Sequence, residues 1–194
     1  MSEYHRRLPH FHPGNVYLFV TWRLWGSLPA KTNLATYPSA GHAFVAVDHE
    51  LDRHASGPDW LRNPRIAEVA SRAIVVGDTE RHFYELSAWV VIPNHVHLLI
   101  LPKAPVPVIM RWLKGSTARA ANRILGRTGL PFWQDESYDH YLRHRDQLGR
   151  TVSCIEQNPV SAGLVCSVEH WPWSSAGWQA KPPAPPGGPN RSHG

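Results

Sequence analysis

Two histidines, His95 and His97, stand one residue apart at the start of an apolar stretch, and together they could bind a metal ion. In a β-strand, residues two apart project from the same face, so both imidazoles would point the same way. Val96, between them, would point into the core and anchor the strand. Two adjacent imidazoles suit one divalent metal ion. The same spacing also fits two hydrogen-bonded histidines on a half-buried sheet, and the spacing alone does not decide between these interpretations.

A turn between two apolar strands would position this histidine pair. Residues 83–92 are apolar and aromatic, residues 95–101 continue the pattern, and Pro93 and Asn94 separate the two runs. Such a break predicts a hairpin whose second strand opens on the histidines. Residues 16–24 are also rich in β-branched and aromatic side chains, and they predict an earlier strand.

Three helices are predicted around these strands. The first has Asn63 as its cap and Pro64 at its first helical position, and its apolar residues recur at helical spacing. The second covers residues 108–125 and is followed by a glycine. The third covers residues 145–158, and we expect it to end there because Pro159 disfavours helical geometry in the residue before it.

The order of these elements predicts one α+β domain. Strand, helix, strand, strand and helix are followed by a shorter extended segment and a further helix. This order suits a ferredoxin-like antiparallel sheet with helices on one face, which leaves the other face available for a site. We expect the domain to span residues 1–178, with a variable excursion at 26–57 and a disordered Pro/Gly-rich tail at 179–194.

Charge and cysteine content narrow the range of partners. Lysine and arginine total 20 against 15 for aspartate and glutamate, and this basic balance favours a polyanion, nucleic acid before membrane. Cys154 and Cys166 form no C-x-x-C pair, which argues against a disulfide scaffold and a structural zinc module. No signal peptide or membrane-spanning stretch is visible, so we expect a cytoplasmic protein with no membrane partner.

The second predicted helix carries a basic face that could bind the phosphate groups of DNA. Its basic residues, with one just beyond its end, are Arg111, Lys114, Arg119, Arg123 and Arg127. A basic helix face is also common as a purely solvated surface, so both interpretations stay open. The short distance in sequence from the histidine pair favours phosphate binding.

Four segments of the chain resemble the REP-associated tyrosine transposases, a family within the HUH single-strand DNA endonuclease superfamily. They lie at residues 6–10 with 16–24, at 88–99, at 113–129 with 132–134, and at 156–165 with 171–176, and together they span most of residues 5–176. The motif PNHVH followed by NPVSAGLV, in this order, is a specific combination.

The resemblance implies a metal-dependent transposase that cleaves and rejoins single-stranded hairpin DNA through a covalent phospho-protein intermediate. It implies an HUH-type active site on the sheet, where His95, His97 and Asn158 hold a divalent ion, Mg²⁺ or Mn²⁺. Asn158 also fits a simpler role as the residue that ends its helix before Pro159. By the same resemblance we expect a monomer rather than a homodimer.

The chain departs from the family pattern at the nucleophile. Two residues before Glu156 and Gln157, where the pattern has a tyrosine, stands Cys154. A thiolate forms more readily near neutral pH than a phenolate, because the ordinary pKa values are about 8.5 and about 10. The sulfur also lies roughly 4 Å closer to the backbone than a tyrosine oxygen would, by addition of bond lengths.

This substitution leaves several interpretations of the chemistry. Cys154 is the catalytic nucleophile, or Tyr141 or Tyr138, just ahead of the third helix, takes that role. Alternatively, the chain is a catalytically impaired protein that binds hairpin DNA, with Cys154 as a small residue on a former nucleophile helix. An attacking water molecule would instead make it a hydrolase that leaves no covalent adduct.

Overall fold

The computed structural model describes residues 16–28, Leu51, 57–142 and 146–180. Within these residues the strands are β1 (Leu18–Leu24), β2 (Tyr84–Val91), β3 (His95–Pro102) and β4 (Trp133–Tyr141). They form one sheet in the order β2-β3-β1-β4, with every neighbouring pair antiparallel. This is the ferredoxin-like arrangement, so the predicted α+β class is confirmed.

The helices begin close to where the sequence predicts them. They are α1 (Pro64–Thr79), α2 (Val106–Ile124), α3 (Asp146–Ser161) and the short α4 (Ser175–Ala180). At the start of α1, the Asn63 side-chain oxygen accepts a hydrogen bond from the Arg65 N–H at 3.0 Å, and Pro64 takes the first helical position. The cap thus satisfies a backbone donor that the first turn would otherwise leave open.

Successive side chains of β1 point to opposite sides of the sheet, and both sides carry apolar residues. Leu18, Val20 and Trp22 point into the larger core, where buried side chains of α1 and α2 pack against them. Phe19 points to the other side, toward a smaller core that includes Ile155 of α3. We call these the α1/α2 face and the α3 face. The first two helices share one face, as predicted, whereas α3 covers part of the face that the sequence left open.

The third helix passes through Pro159, so the prediction that it ends at Asn158 is wrong. Pro159 lies in the last turn, where its missing N–H removes one hydrogen bond without preventing closure of the turn. The helix is stopped instead by Gly163, whose φ of 68° is left-handed. The Gly163 N–H donates to the Val160 carbonyl at 3.0 Å, and the Leu164 N–H donates to the Pro159 carbonyl at 2.9 Å, which is a Schellman cap.

The segment predicted as a short extended stretch is β4, an edge strand of nine residues. It pairs with β1 from Leu18 opposite Tyr141 to Leu24 opposite Trp133, with an irregularity after Trp22. Most of its side chains are polar, and only Trp133 is buried. The alternation of apolar and polar residues that marks a strand in sequence is therefore weak here.

The segment after α3 closes the free edge of β2. The Val91 N–H donates to the Trp173 carbonyl at 2.7 Å, and a bridge pairs Val90 with Ser174. The indole N–H of Trp171 donates to the Val91 carbonyl at 3.0 Å. These bonds satisfy backbone groups that an edge strand would otherwise expose to another chain.

Two predicted segments lie largely outside the described residues. The excursion at 26–57 is described at 26–28, Leu51 and 57, and the tail at 179–194 is described only at 179–180, where α4 ends. Across the described part of the chain, no helix combines the length and apolar character needed to cross a membrane.

Close packing of α1 on β2 yields a test of the fold. Tyr84 is buried and its hydroxyl donates to the Ile74 carbonyl at 2.7 Å, which places its ring where a Cβ on Gly77 would lie. We expect Gly77→Ala to lower the free energy of unfolding by about 1–3 kcal/mol through this overlap. Gly149→Ala, in α3 with nothing near the added methyl, should raise it by up to about 1 kcal/mol. Urea unfolding measures both, and a Gly77→Ala variant as stable as the parent would contradict this packing.

Candidate metal centre

His95 and His97 begin β3 with both side chains on the α3 face. Their exposed fractions are 0% and 2%, so bulk water solvates neither ring. The two Nε2 atoms are 2.9 Å apart and the rings meet edge to face. Val96, between them, packs in the larger core, as the alternation predicts. The structure therefore brings the two imidazoles to one point.

The His95 ring is oriented by Asn94, the residue before it. His95 Nδ1 lies 2.7 Å from Asn94 Oδ1, and the Asn94 amide nitrogen donates to the Leu51 carbonyl at 2.9 Å. Because an amide oxygen only accepts, the hydrogen in the first bond belongs to His95 Nδ1. In the neutral ring Nε2 then carries a lone pair, which is the state that binds a metal ion.

The His97 ring is oriented by β1. His97 Nδ1 lies 2.8 Å from the hydroxyl oxygen of Thr21, its cross-strand partner, and Phe19 stacks on the ring at 5.6 Å between centroids. A hydroxyl can donate or accept, so Thr21 supports either tautomer of His97. Sequence reasoning missed Thr21 and Phe19 because their roles depend on the register of β1 against β3. Asn94 could have been found, since it adjoins the histidine.

Asn158 of α3 is the third predicted ligand, and the structure places it beside the pair. Its amide nitrogen is 3.5 Å from His97 Nε2, and the residue is buried. The competing role of Asn158 as the residue that ends its helix is wrong, because α3 continues past it. Residues from β3 and α3, far apart in sequence, thus meet in one small polar site.

The donor set fits a divalent metal ion. Imidazole nitrogens bind such ions at about 2.0–2.1 Å, so two Nε2 atoms 2.9 Å apart are close enough to reach one ion once both are deprotonated. Within the described residues no three histidine, cysteine, aspartate or glutamate side chains cluster as a metal site. Asn158 carries an amide group beside the pair, and an amide oxygen is a ligand type that divalent ions accept.

Two of the predicted nucleophiles lie on the same side of the sheet as the histidines. Cys154 precedes Asn158 by four residues on α3, so the two share one side of the helix, and Cys154 is exposed. Tyr138 is the cross-strand partner of Thr21, which places its side chain on the α3 face beside the residue that holds His97.

Tyr141, the other predicted alternative, is separated from the histidines by the sheet. It pairs with Leu18 and packs against the larger core on the α1/α2 face. Burial raises the pKa of both the Tyr138 and the Tyr141 hydroxyl, and the charge of Asp139 adds to the rise. A phenol with a raised pKa ionises less readily near neutral pH, so neither environment activates a tyrosine for attack.

The predicted basic face lies on α2, on the opposite side of the sheet from the histidines. Arg111, Arg119 and Arg123 are exposed there, spaced along one side of the helix. The basic face is therefore close to the histidine motif in sequence but lies on the other side of the sheet in the folded protein. The structure keeps these three arginines available to solvent but does not bring them to the candidate metal centre.

The remaining two basic residues make contacts within the protein. The Lys114 ammonium donates to the backbone carbonyls of Gln134 at 2.6 Å and Asp135 at 2.8 Å, which ties the start of β4 to α2. The Arg127 guanidinium lies 4.3 Å from the centre of the Trp60 ring, a cation–π distance.

The role given to Asn94 can be tested by metal binding. We expect Asn94→Ala to weaken Mn²⁺ affinity by about 10- to 100-fold, because His95 loses the acceptor that fixes its ring and tautomer. Asn122→Ala is a matched control, since Asn122 is also buried and donates to a backbone carbonyl, but from α2. Calorimetric titration compares the two, and equal Mn²⁺ affinities would contradict this role.

Comparison with known proteins agrees with the fold and with the resemblance that the sequence motifs predict. No protein-family model matches the chain. The chain is 30% identical over 110 residues to a REP-associated tyrosine transposase of Escherichia coli (strain K12), which covers 56% of this chain and 63% of that relative. It thus spans less than two thirds of that relative's length.

Among solved structures, the fold is similar to that of a REP-associated tyrosine transposase bound to a REP hairpin. The TM-score is 0.53 at 22% identity, over 93% of this chain and 86% of the other. A likeness at this identity shows the shared fold. The curated relative and the solved fold together confirm the resemblance to the REP-associated tyrosine transposase family that the sequence motifs predict.

Proposed function

We propose that this chain is a transposase-type protein that binds single-stranded hairpin DNA and, with a divalent metal ion, cleaves and rejoins it. The observation that carries the proposal is the convergence of the His95 and His97 Nε2 atoms, 2.9 Å apart, beside the Asn158 amide. The relative of known structure, which shares the fold, is bound to a REP hairpin. The basic composition of the chain also favours DNA.

His95, His97 and Asn158 would hold the ion, Mg²⁺ or Mn²⁺. When bound, the ion supplies Lewis-acid polarisation of a phosphate oxygen. Two imidazoles in the donor set favour Mn²⁺ over Mg²⁺, which prefers oxygen ligands. Asn94 and Thr21 fix the two rings before any substrate arrives, so the ligands need no rearrangement.

Cys154 is the proposed nucleophile. Its thiolate would attack the scissile phosphorus, forming an S–P bond as the P–O3′ bond breaks, and the departing 3′ oxygen would take up a proton. Rejoining is the reverse step, in which a 3′ hydroxyl displaces the sulfur. Three features support Cys154 over Tyr138: it is exposed, it lies one turn from Asn158, and the pKa of Tyr138 is raised.

A second candidate function is binding of hairpin DNA without cleavage. The substitution of cysteine for the tyrosine of the family pattern favours it, because the shorter side chain reaches less far from α3. The scaffold and the ring-orienting contacts would then serve recognition alone.

The exposed arginines of α2 are proposed as contacts to the DNA backbone away from the metal centre. Arg111, Arg119 and Arg123 form one row on the outer side of the helix, and a hairpin that passes around the sheet edge could reach it. Lys114 and Arg127 are left out of this proposed surface because their charged groups already contact the protein.

The proposed chemistry predicts a covalent adduct. Incubation with a labelled single-stranded hairpin and Mn²⁺ should give a protein–DNA species that mass spectrometry maps to Cys154. Cys154→Ala should abolish the adduct, while Tyr138→Phe should keep it. His95→Ala combined with His97→Ala should abolish both Mn²⁺ binding and the adduct in a folded protein.

The other outcomes separate the alternatives. Cleavage without an adduct would mean that water attacks, and hairpin binding without cleavage would favour the second candidate function. An adduct at Tyr138 would overturn the role of Cys154. In a folded variant, Cys154→Tyr should restore or strengthen cleavage if the shorter side chain is what limits attack.

The arginine row predicts a change in salt dependence. Arg119→Gln combined with Arg123→Gln should reduce the slope of log affinity against log salt by about 1.4–1.8, since each phosphate contact adds about 0.7–0.9. Arg72→Gln, an exposed arginine of α1 paired with Glu68, is the control and should leave the slope unchanged. Equal slopes for the double variant and the parent would exclude these arginines as phosphate contacts.

A further inference from the structure

Arg23 is a charged residue on the face of the histidine pair that neither the motifs nor the proposed chemistry uses. In the register of β1 against β3, Arg23 is the partner of His95, just as Thr21 is the partner of His97. Cross-strand partners point to the same face, with Cβ atoms about 4.5–5.5 Å apart. The guanidinium therefore extends from the sheet beside the metal centre, on the α3 face.

Few groups within the described residues compensate the charge of Arg23. One guanidinium nitrogen lies 3.5 Å from the Ser27 hydroxyl oxygen, which is at the limit of a hydrogen bond, and the carboxylate of Glu136 interacts with it electrostatically. A guanidinium has five N–H donors in a planar fork. Most of these donors are not used by the described protein groups, although the side chain is partly buried.

Burial of this cation has a cost that an anionic ligand would offset. Desolvation lowers the pKa of Arg23, and the opposing effect of Glu136 is smaller. An arginine remains charged in either case, so its environment favours binding of a further anion. The neighbouring side chains of the candidate metal centre, those of His95, His97, Asn94 and Thr21, are not acidic and do not supply an anion.

We infer that Arg23 binds a nonbridging oxygen of the DNA phosphate that docks at the histidine pair. This inference rests on the proposed function and names the residue that recognises the anionic group of its substrate. The guanidinium fork matches two phosphate oxygens, whereas a lysine would act as a point charge. When a nucleophile attacks the phosphorus, negative charge grows on the nonbridging oxygens, and a donor already aimed at them stabilises that charge.

The alternative is that Arg23 serves only the fold, through Ser27 and Glu136. The two roles differ in one measurable respect, because only a phosphate contact depends on the charge of the DNA at one position. A methylphosphonate replaces a nonbridging oxygen with a neutral methyl group and removes that charge. Its effect on affinity therefore reports a direct contact rather than general stability.

The experiment measures the affinity of the full chain, with Mn²⁺, for hairpins that carry a single methylphosphonate at successive positions of the unpaired strand. For the parent, one position should weaken binding by about 10- to 100-fold, the range of a charge-assisted hydrogen bond. Arg23→Gln should bind the unmodified hairpin that much more weakly and show no further loss at that position. Arg72→Gln should behave like the parent.

Two further measurements separate this inference from the proposed function. Arg23→Gln should bind Mn²⁺ as the parent does, and Arg23→Lys, which keeps the charge, should recover part of the hairpin affinity. If Arg23→Gln fails to fold, Arg23→Lys provides the test instead. A lysine variant that binds the hairpin with the full affinity of the parent and loses affinity at the same methylphosphonate position would show that the guanidinium is not needed. An Arg23→Gln variant that keeps the positional loss would overturn the inference alone. A parent that binds neither Mn²⁺ nor hairpin would overturn the proposed function as well.

Discussion

The antiparallel register between β1 and β3 is the constraint on which the candidate site depends. It sets Thr21 opposite His97 and Arg23 opposite His95, so that one strand supplies the candidate metal ligands and the other supplies the groups around them. A shift by one residue would turn every side chain of β1 to the other face. Trp22 would then lie against the imidazoles, and His97 would lose its hydroxyl partner. Leu18, Val20, Trp22 and Leu24 of β1 are buried in the larger core, and this burial holds the register in place.

The two faces of the sheet differ in composition: one carries most of the apolar core, and the other carries the candidate site. The α1/α2 face carries most of the buried apolar side chains, whereas the α3 face adds a buried polar chain that runs from the Leu51 carbonyl through Asn94, His95 and His97 to Thr21. Each member is a partner of the next, which is the condition under which buried polar groups are tolerated. The low polarity around them would strengthen their electrostatic interaction with a charged ligand.

The local features of the fold were predictable, and the features that depend on pairing were not. The cap at Asn63 and the shared direction of the two histidines follow from short-range geometry, and both are as the sequence predicts. The contact of Thr21 with the site requires the β1–β3 register, which no local pattern reports. Tyr138 and Tyr141 face opposite sides of the sheet because they lie three residues apart in one strand. The sequence did not reveal this, because the mostly polar edge strand lacks a clear alternation of apolar and polar residues. The prediction that the helix ends before Pro159 was wrong because a proline in the last turn removes one hydrogen bond without ending the helix.

The bond from Asn94 to the Leu51 carbonyl bears on how the sequence can vary. The amide that orients His95 is held by a main-chain atom, which every amino acid provides. Substitutions at position 51 are therefore limited by burial, since this side chain is 1% exposed, and not by the chemistry of the site. An insertion or deletion that displaced the backbone there would instead rotate Asn94 and, through it, the His95 ring. Among related sequences, spacing around this position should consequently be more restricted than residue identity.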